Sequence, residues 1–137
     1  MNRHLSILAA FLLFSCQTEH TRLFDDVIQM AEFDRDYKPT LIQLGIENGL
    51  LEPLMQYGVY RIDSIAFEQL ENSIESNERF KEGRYYLNIE LDDFLLHNKL
   101  VILNMSHSLI AENNYDNTYY FYLLSDRKTF VICKVNH

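Results

Sequence analysis

The stretch that decides the fold lies near the C-terminal end, where residues 117–135 read NTYYFYLLSDRKTFVICKV. Two runs rich in aromatic and β-branched residues flank the polar segment 125–128, and such runs favour strands. A polar connection this short is typical of an antiparallel hairpin. The sequence therefore predicts two paired strands, one on each side of residues 125–128.

Two more strands are predicted immediately before this hairpin. From Arg84 to Asp92, apolar and polar residues alternate, which indicates a strand that is buried on one face. Residues 99–106 read KLVILNMS, and residues 100–105 are apolar on both faces, which is typical of a central strand. Together with the hairpin, these stretches predict an antiparallel sheet of about four strands.

The first half of the chain carries helical signals instead. Apolar residues at helical spacing predict a helix over residues 22–35. Asp63 or Ser64 is well placed to cap another helix, which extends to about Ser76. Because helices precede strands, the pattern predicts the α+β class, with the N-terminal helices packed on one face of the C-terminal sheet. By length, residues 22–137 form a single domain.

Between the first helix and the second lies a stretch, residues 40–58, that reads TLIQLGIENGLLEPLMQYG. Its apolar residues clearly follow neither the spacing of a helix nor the alternation of a strand. Thr40 and Gln43 match a capping box, and Pro53 is suited to the first turn of a helix. We therefore predict irregular structure with short helices here, followed by a brief strand in residues 58–63.

The N-terminal residues 1–16 have a different character from the rest. One firm positive charge, Arg3, precedes an apolar run that is too short to cross a bilayer as a helix. The segment ends in Leu13-Phe14-Ser15-Cys16, which resembles the lipobox of bacterial lipoproteins. The alternative is a buried first strand or helix with an ordinary core cysteine.

This resemblance implies a location for the mature protein. Residues 1–15 would be a signal peptide, Cys16 would carry the acyl chains, and residues 16–21 would include a short polar tether to the domain. The protein would then be anchored by lipid in the cell envelope. Gln17 is not the aspartate linked to inner-membrane retention in enteric lipoproteins, which slightly favours the outer membrane.

The charge of the chain restricts its partners. The sequence has 20 acidic and 12 basic residues, and losing Arg3 with the signal would leave 11 basic residues and a net charge of −9. Such a surface repels phosphate backbones, so nucleic-acid binding is not expected. It is compatible with a basic protein partner.

Few residues suggest a chemistry. The sequence lacks the common nucleophile, phosphate-binding and zinc-protease motifs, and we predict no metal and no cofactor. His97, His107, Asp92 and Asp93 are the residues that an acid–base or metal site would use if the sheet brought them together. The more ordinary interpretation is that all four are surface residues.

The nine tyrosines are the more suggestive feature. Tyr115, Tyr120 and Tyr122 lie close together in sequence, and exposed tyrosine is typical of protein-recognition surfaces. The alternative is a strand buried on both faces. The leading expectation is therefore a small lipid-anchored protein that binds another protein and is not an enzyme. An inhibitor or immunity-type protein that neutralises a basic toxin or envelope hydrolase is the second hypothesis.

Overall fold

The computed structural model describes residues 23–33, 37–51, 53–83, 88–103, 107–110 and 117–136, and it has a mixed α+β fold. The helices are residues 23–31 (α1), Ser64–Glu75 (α2) and Ile89–His97 (α3). The strands are Thr40–Asn48 (β1), Pro53–Arg61 (β2), Lys81–Glu82 (β3), His107–Ile110 (β4), Asn117–Leu123 (β5) and Thr129–Asn136 (β6). The predicted α+β class with an antiparallel sheet is thus confirmed.

Within the described residues the sheet has six strands in the order β1-β2-β6-β5-β4-β3, and every neighbouring pair is antiparallel. The predicted C-terminal hairpin forms its centre, as β5 and β6. The C-terminal part of the chain supplies four strands, β3 to β6, and the β1–β2 hairpin adds two more at one side.

Apolar residues cover both faces of this sheet. On the first face, α1 and α2 share a buried cluster with β2, β5 and β6, in which Tyr60, Phe130 and Phe121 form a stack of rings across the three strands. The ring centroids are 5.3 Å apart for Tyr60 and Phe130 and 5.2 Å for Phe121 and Phe130. On the second face, α3 contributes Leu91 to a cluster with Tyr57, Tyr122 and neighbouring apolar residues. An apolar cluster therefore lies on each face of the sheet, and α3 contributes to the second one.

Local signals explain the elements that were predicted well. Asp63 caps α2 by accepting a hydrogen bond from the backbone N–H of Ala66 at 2.9 Å. The β5–β6 turn is closed by Asp126, which accepts hydrogen bonds from the backbone N–H groups of Lys128 and Thr129 at 3.0 and 2.8 Å. The salt bridge between Arg127 and Glu71 then ties this turn to α2.

The prediction for residues 40–58 is wrong. They form most of a β-hairpin, and neither the Thr40–Gln43 pattern nor Pro53 begins a helix. Gly45 interrupts a helical pattern, but in the strand it faces the ring of Tyr57 on β2, where a larger side chain would not fit. Packing across the hairpin therefore outweighs the local capping signal.

The two strands predicted before the C-terminal hairpin are also wrong in their described parts. Residues 89–92 belong to α3, whose N-cap Asn88 accepts a hydrogen bond from the backbone N–H of Leu91 at 3.0 Å. Residues 84–87 lie outside the described residues. In residues 99–103, strand pairing is limited to one bridge between Ile102 and Leu124, and the central strands are β2, β6 and β5.

Candidate functional site

The structure separates the three tyrosines that the sequence grouped as a recognition surface. Tyr122 is fully buried beneath α3, so its predicted exposure is wrong. Tyr120 is half-buried and its ring stacks on that of Tyr122, with centroids 6.5 Å apart. Tyr115 lies outside the described residues, as does Cys16. The tyrosines of β5 thus pack mainly within the fold, as the alternative interpretation held for a strand covered on both faces.

Three of the four residues considered for acid–base or metal chemistry lie on α3. Asp93 and His97 are four residues apart and share one exposed side of the helix, while Asp92 is half-buried. His107 begins β4, where its backbone is paired with Glu82 and Phe121. Among the described residues, the structure contains no cluster of three or more side chains suited to bind a metal. The enzyme hypothesis thus gains no support from these positions.

An open cleft of about 650 Å³ lies between β1 and α3. Gln43 lines it from the strand, and Glu90, Asp93 and His97 line it from the helix. The three helical residues are spaced i, i+3 and i+7, which places them on one stripe of α3. We call Glu90, Asp93 and His97 the α3 stripe. Phe94, Leu96 and Asn98 also line the cleft, which therefore combines carboxylates and apolar side chains of the helix with the side of an outer strand.

Hydrogen bonds hold the walls of this cleft together. Gln43 Nε2 donates to the Tyr57 hydroxyl at 2.9 Å, and this hydroxyl donates to Glu90 Oε2 at 3.2 Å. Asn88 Nδ2 donates to Glu47 Oε2 at 3.3 Å. Burial raises the pKa of Tyr57, and the charge of Glu90 raises it as well, so the hydroxyl keeps its proton and remains a donor. β1, β2 and α3 are thereby joined through Tyr57.

The end of the β1–β2 hairpin exposes large apolar side chains. Leu50 and Leu51 are almost wholly exposed, and Ile46 and Leu54 are each about half exposed. We call these four residues the apolar tip. Single exposed apolar side chains are common, but several grouped at one place typically mark an interaction surface.

Sequence reasoning missed both the apolar tip and the cleft because it assigned no strands to residues 40–53. One signal was present in the sequence. Asn48-Gly49 lies between two apolar stretches, and this dipeptide is a general indicator of a hairpin. The structure does not use it as a type I′ turn, because Asn48 is the last residue of β1, paired with Pro53, and Gly49 does not have a positive φ.

A second groove, of about 500 Å³, lies between the C-terminal ends of α1 and α2. Its polar groups largely complete the fold. Asn77 Nδ2 donates to the backbone oxygen of Ala31 at 2.8 Å, and Arg79 donates to that of Met30 at 2.7 Å. Arg79 also forms a salt bridge of 2.9 Å with Glu32. These contacts satisfy carbonyl groups at the end of α1, which is a structural role.

Comparison with known proteins finds no matching family model, no similar curated protein and no similar solved structure. Within the part of the chain that the structure describes, none of the helices has the length and hydropathy needed to cross a bilayer.

Proposed function

We propose that this chain is a lipid-anchored protein of the bacterial cell envelope that binds another protein and performs no catalysis. The observation that carries the proposal is the apolar tip. Its four large apolar side chains lie within residues 46–54, and each is about half exposed or more. Keeping such a group in water is unfavourable, and burial against a partner would recover part of that free energy.

The anchor is the second part of the proposal. The lipobox-like segment ending at Cys16 supports it, since two or more acyl chains would hold the protein at a membrane surface. The proposal includes the predicted packing of the N-terminal helices on one face of the sheet. The apolar cluster that α1 and α2 share with β2, β5 and β6 supports that packing.

The second candidate is an inhibitor or immunity-type protein for a basic toxin or hydrolase. The carboxylates of Glu90 and Asp93 beside an open cleft favour this class, because opposite charge speeds association with a basic protein. Loss of the activity of a basic toxin or hydrolase when this protein binds it would distinguish this class from a general adaptor.

Affinity capture of the tagged, full-length protein from detergent-solubilised envelopes tests the proposal. Mass spectrometry then identifies the modified N terminus and any co-purifying protein. We expect an acylated Cys16 and one partner in near-equal amount, and we expect the variant Leu50→Ser/Leu51→Ser to lose that partner.

The matched control is Ile65→Ser/Val101→Ser, which removes two other exposed apolar side chains, one on α2 and one after α3. It should retain the partner. A chain that still begins at Met1 would refute the anchor, and equal recovery of the partner with both double variants would refute the assignment to the apolar tip.

A further inference from the structure

We propose that the outer edge of β1 and the α3 stripe form a docking surface for an extended, basic segment of a partner protein, which adds to the sheet as a strand beside β1. This inference rests on the proposed function and specifies two properties of the partner segment, an extended conformation and a positive charge. The surface shares Ile46 with the apolar tip but does not include Leu50, Leu51 or Leu54, and both surfaces belong to the β1–β2 hairpin.

The two edges of the described sheet differ in how open they are to another strand. β3, at one edge, has only two residues, and one of them is Lys81. Short edge strands and lysine are the usual protection against unwanted strand pairing. β1, at the other edge, has nine residues with no lysine, arginine or proline. Its register with β2 is regular from Gln43 to Glu47, which leaves a segment without a bulge for pairing.

The faces of β1 determine which side chains an added strand would meet. Gln43, Gly45 and Glu47 are paired with residues of β2 that face α3. Leu44 and Ile46 therefore lie on the opposite face, and Ile46 is about half exposed there. Because strand side chains alternate between faces, an added strand would place every second side chain on the α3 side and the others next to Ile46.

The charges on the α3 side favour basic residues at those alternate positions. Glu90 and Asp93 border the cleft directly, and Glu47 lies on the same face of β1. Glu90 is held in place by the hydrogen bond from Tyr57, so its carboxylate is pre-positioned. A strand with lysine or arginine on one face and apolar residues on the other would match both sides, with backbone hydrogen bonds supplying affinity.

Charge also argues against two other occupants of this surface, a second copy of the chain and an anionic membrane. A second copy paired edge to edge would bring the carboxylates of both copies into one region, which is unfavourable. A membrane surface with anionic lipids would be repelled by the same groups and by the net charge of −8. A basic protein segment is the occupant that agrees with the charge and with the open edge.

Fluorescence anisotropy tests the proposed binding of an extended basic segment. Labelled peptides are titrated with the full-length protein in non-ionic detergent. The probe is the peptide KVKVKVK, compared with EVEVEVE, which reverses the charge, and with KPKPKPK, which keeps the charge but cannot pair as a strand. We expect KVKVKVK to bind about tenfold more tightly than either control, and its affinity to fall as salt is raised.

Two protein variants locate the binding. Glu90→Gln/Asp93→Asn should weaken the binding of KVKVKVK by about three- to tenfold, since each exposed charge pair contributes modestly to the affinity. Gln retains an oxygen that can accept the hydrogen bond from Tyr57. The control Glu68→Gln/Glu75→Gln removes two exposed carboxylates from α2 and should change the affinity less than about twofold.

Three outcomes would overturn the inference. The first is that KPKPKPK binds as tightly as KVKVKVK. The second is that both double variants weaken the binding of KVKVKVK equally. The third is that the protein alone forms a concentration-dependent dimer, which KVKVKVK dissociates. The last result would assign the β1 edge to a second copy. None of them affects the capture experiment above, so a partner that depends on Leu50 and Leu51 would still support the proposed function.

Discussion

Replacing Gly45 by alanine should destabilise the domain strongly, although alanine is normally preferred to glycine within a strand. The backbone at Gly45 does not require glycine, because φ is not in the left-handed region. The obstacle is the Tyr57 ring, since a Cβ at position 45 would lie 1.9 Å from Tyr57 Cε1 and 2.3 Å from Cζ. Relative to an ordinary contact of 3.4 Å, the ring or the strand must move by 3.4 − 1.9 = 1.5 Å.

The ring has little room for this movement. Tyr57 is 1% exposed, and its hydroxyl bonds to Gln43 and Glu90 would be distorted. Overpacking of a core costs about 1–3 kcal/mol, and a weakened hydrogen bond to a charged group adds to it. We expect a loss of about 3 kcal/mol in the free energy of unfolding, or about 12 °C in Tm for a domain of this size.

A double-mutant cycle monitored by urea unfolding tests the cause. In a Tyr57→Leu background the ring is absent, so Gly45→Ala should be neutral or should stabilise by about 0.5 kcal/mol through reduced chain entropy. Thr40→Ala, at the exposed start of β1, is the control and should change stability by less than about 0.5 kcal/mol. If Gly45→Ala costs the same with and without the Tyr57 ring, the steric explanation is refuted.

Three further predictions concern other parts of the molecule. Burial alone would raise the pKa of the Asp126 carboxyl, but hydrogen bonds from Thr129 and the Lys128 backbone lower it overall. Asp126→Asn should therefore cost about 1 kcal/mol at neutral pH, and urea midpoints of the two proteins should converge as pH falls through the lowered carboxyl pKa. Leu50→Ser/Leu51→Ser should leave the free energy of unfolding within about 0.5 kcal/mol of the parent, measured by the same urea titration. Burial raises the pKa of the Cys133 thiol, so iodoacetamide should label it only after unfolding.

Parts of the fold could be predicted because their signals are local. α2 has a capping residue, Asp63, directly before a regular apolar stripe, and the structure places both as expected. The β5–β6 hairpin combines strong strand formers with a turn that closes through Asp126. In these elements, propensity, pattern and turn chemistry agree, which is the condition under which sequence reasoning succeeds.

The errors arose where a local signal competed with contacts from distant residues. The alternation from Arg84 to Asp92 resembles a strand, yet Asn88 and Leu91 form a helix start whose apolar side meets the second sheet face. In β1, the meaning of Gly45 depends on Tyr57, twelve residues later and on another strand. The periodicity of apolar residues alone could not distinguish strand from helix in these segments, because the contacts that stabilise the observed structure come from residues of a different element.

The same dependence explains why the candidate surface was not anticipated. Glu90, Asp93 and His97 form a stripe only if their segment is helical, and Gln43 borders them only if residues 40–48 are a strand. Asp93 and His97 are residue types that acid–base or metal chemistry can use, and the structure places both beside β1, an edge strand of the described sheet.

Tyr57 connects the stability of this edge with its proposed use in binding. It is a core residue of the second face, and its hydroxyl joins Gln43 of β1 to Glu90 of α3. An edge strand that is tied to a helix in this way loses less conformational freedom when a partner strand pairs with it. The close contact between Gly45 and Tyr57 should therefore affect both stability and binding, since a change that displaces the ring would also misplace the Glu90 carboxylate. On this reasoning Gly45→Ala weakens binding of the basic peptide even in the fraction of molecules that remain folded.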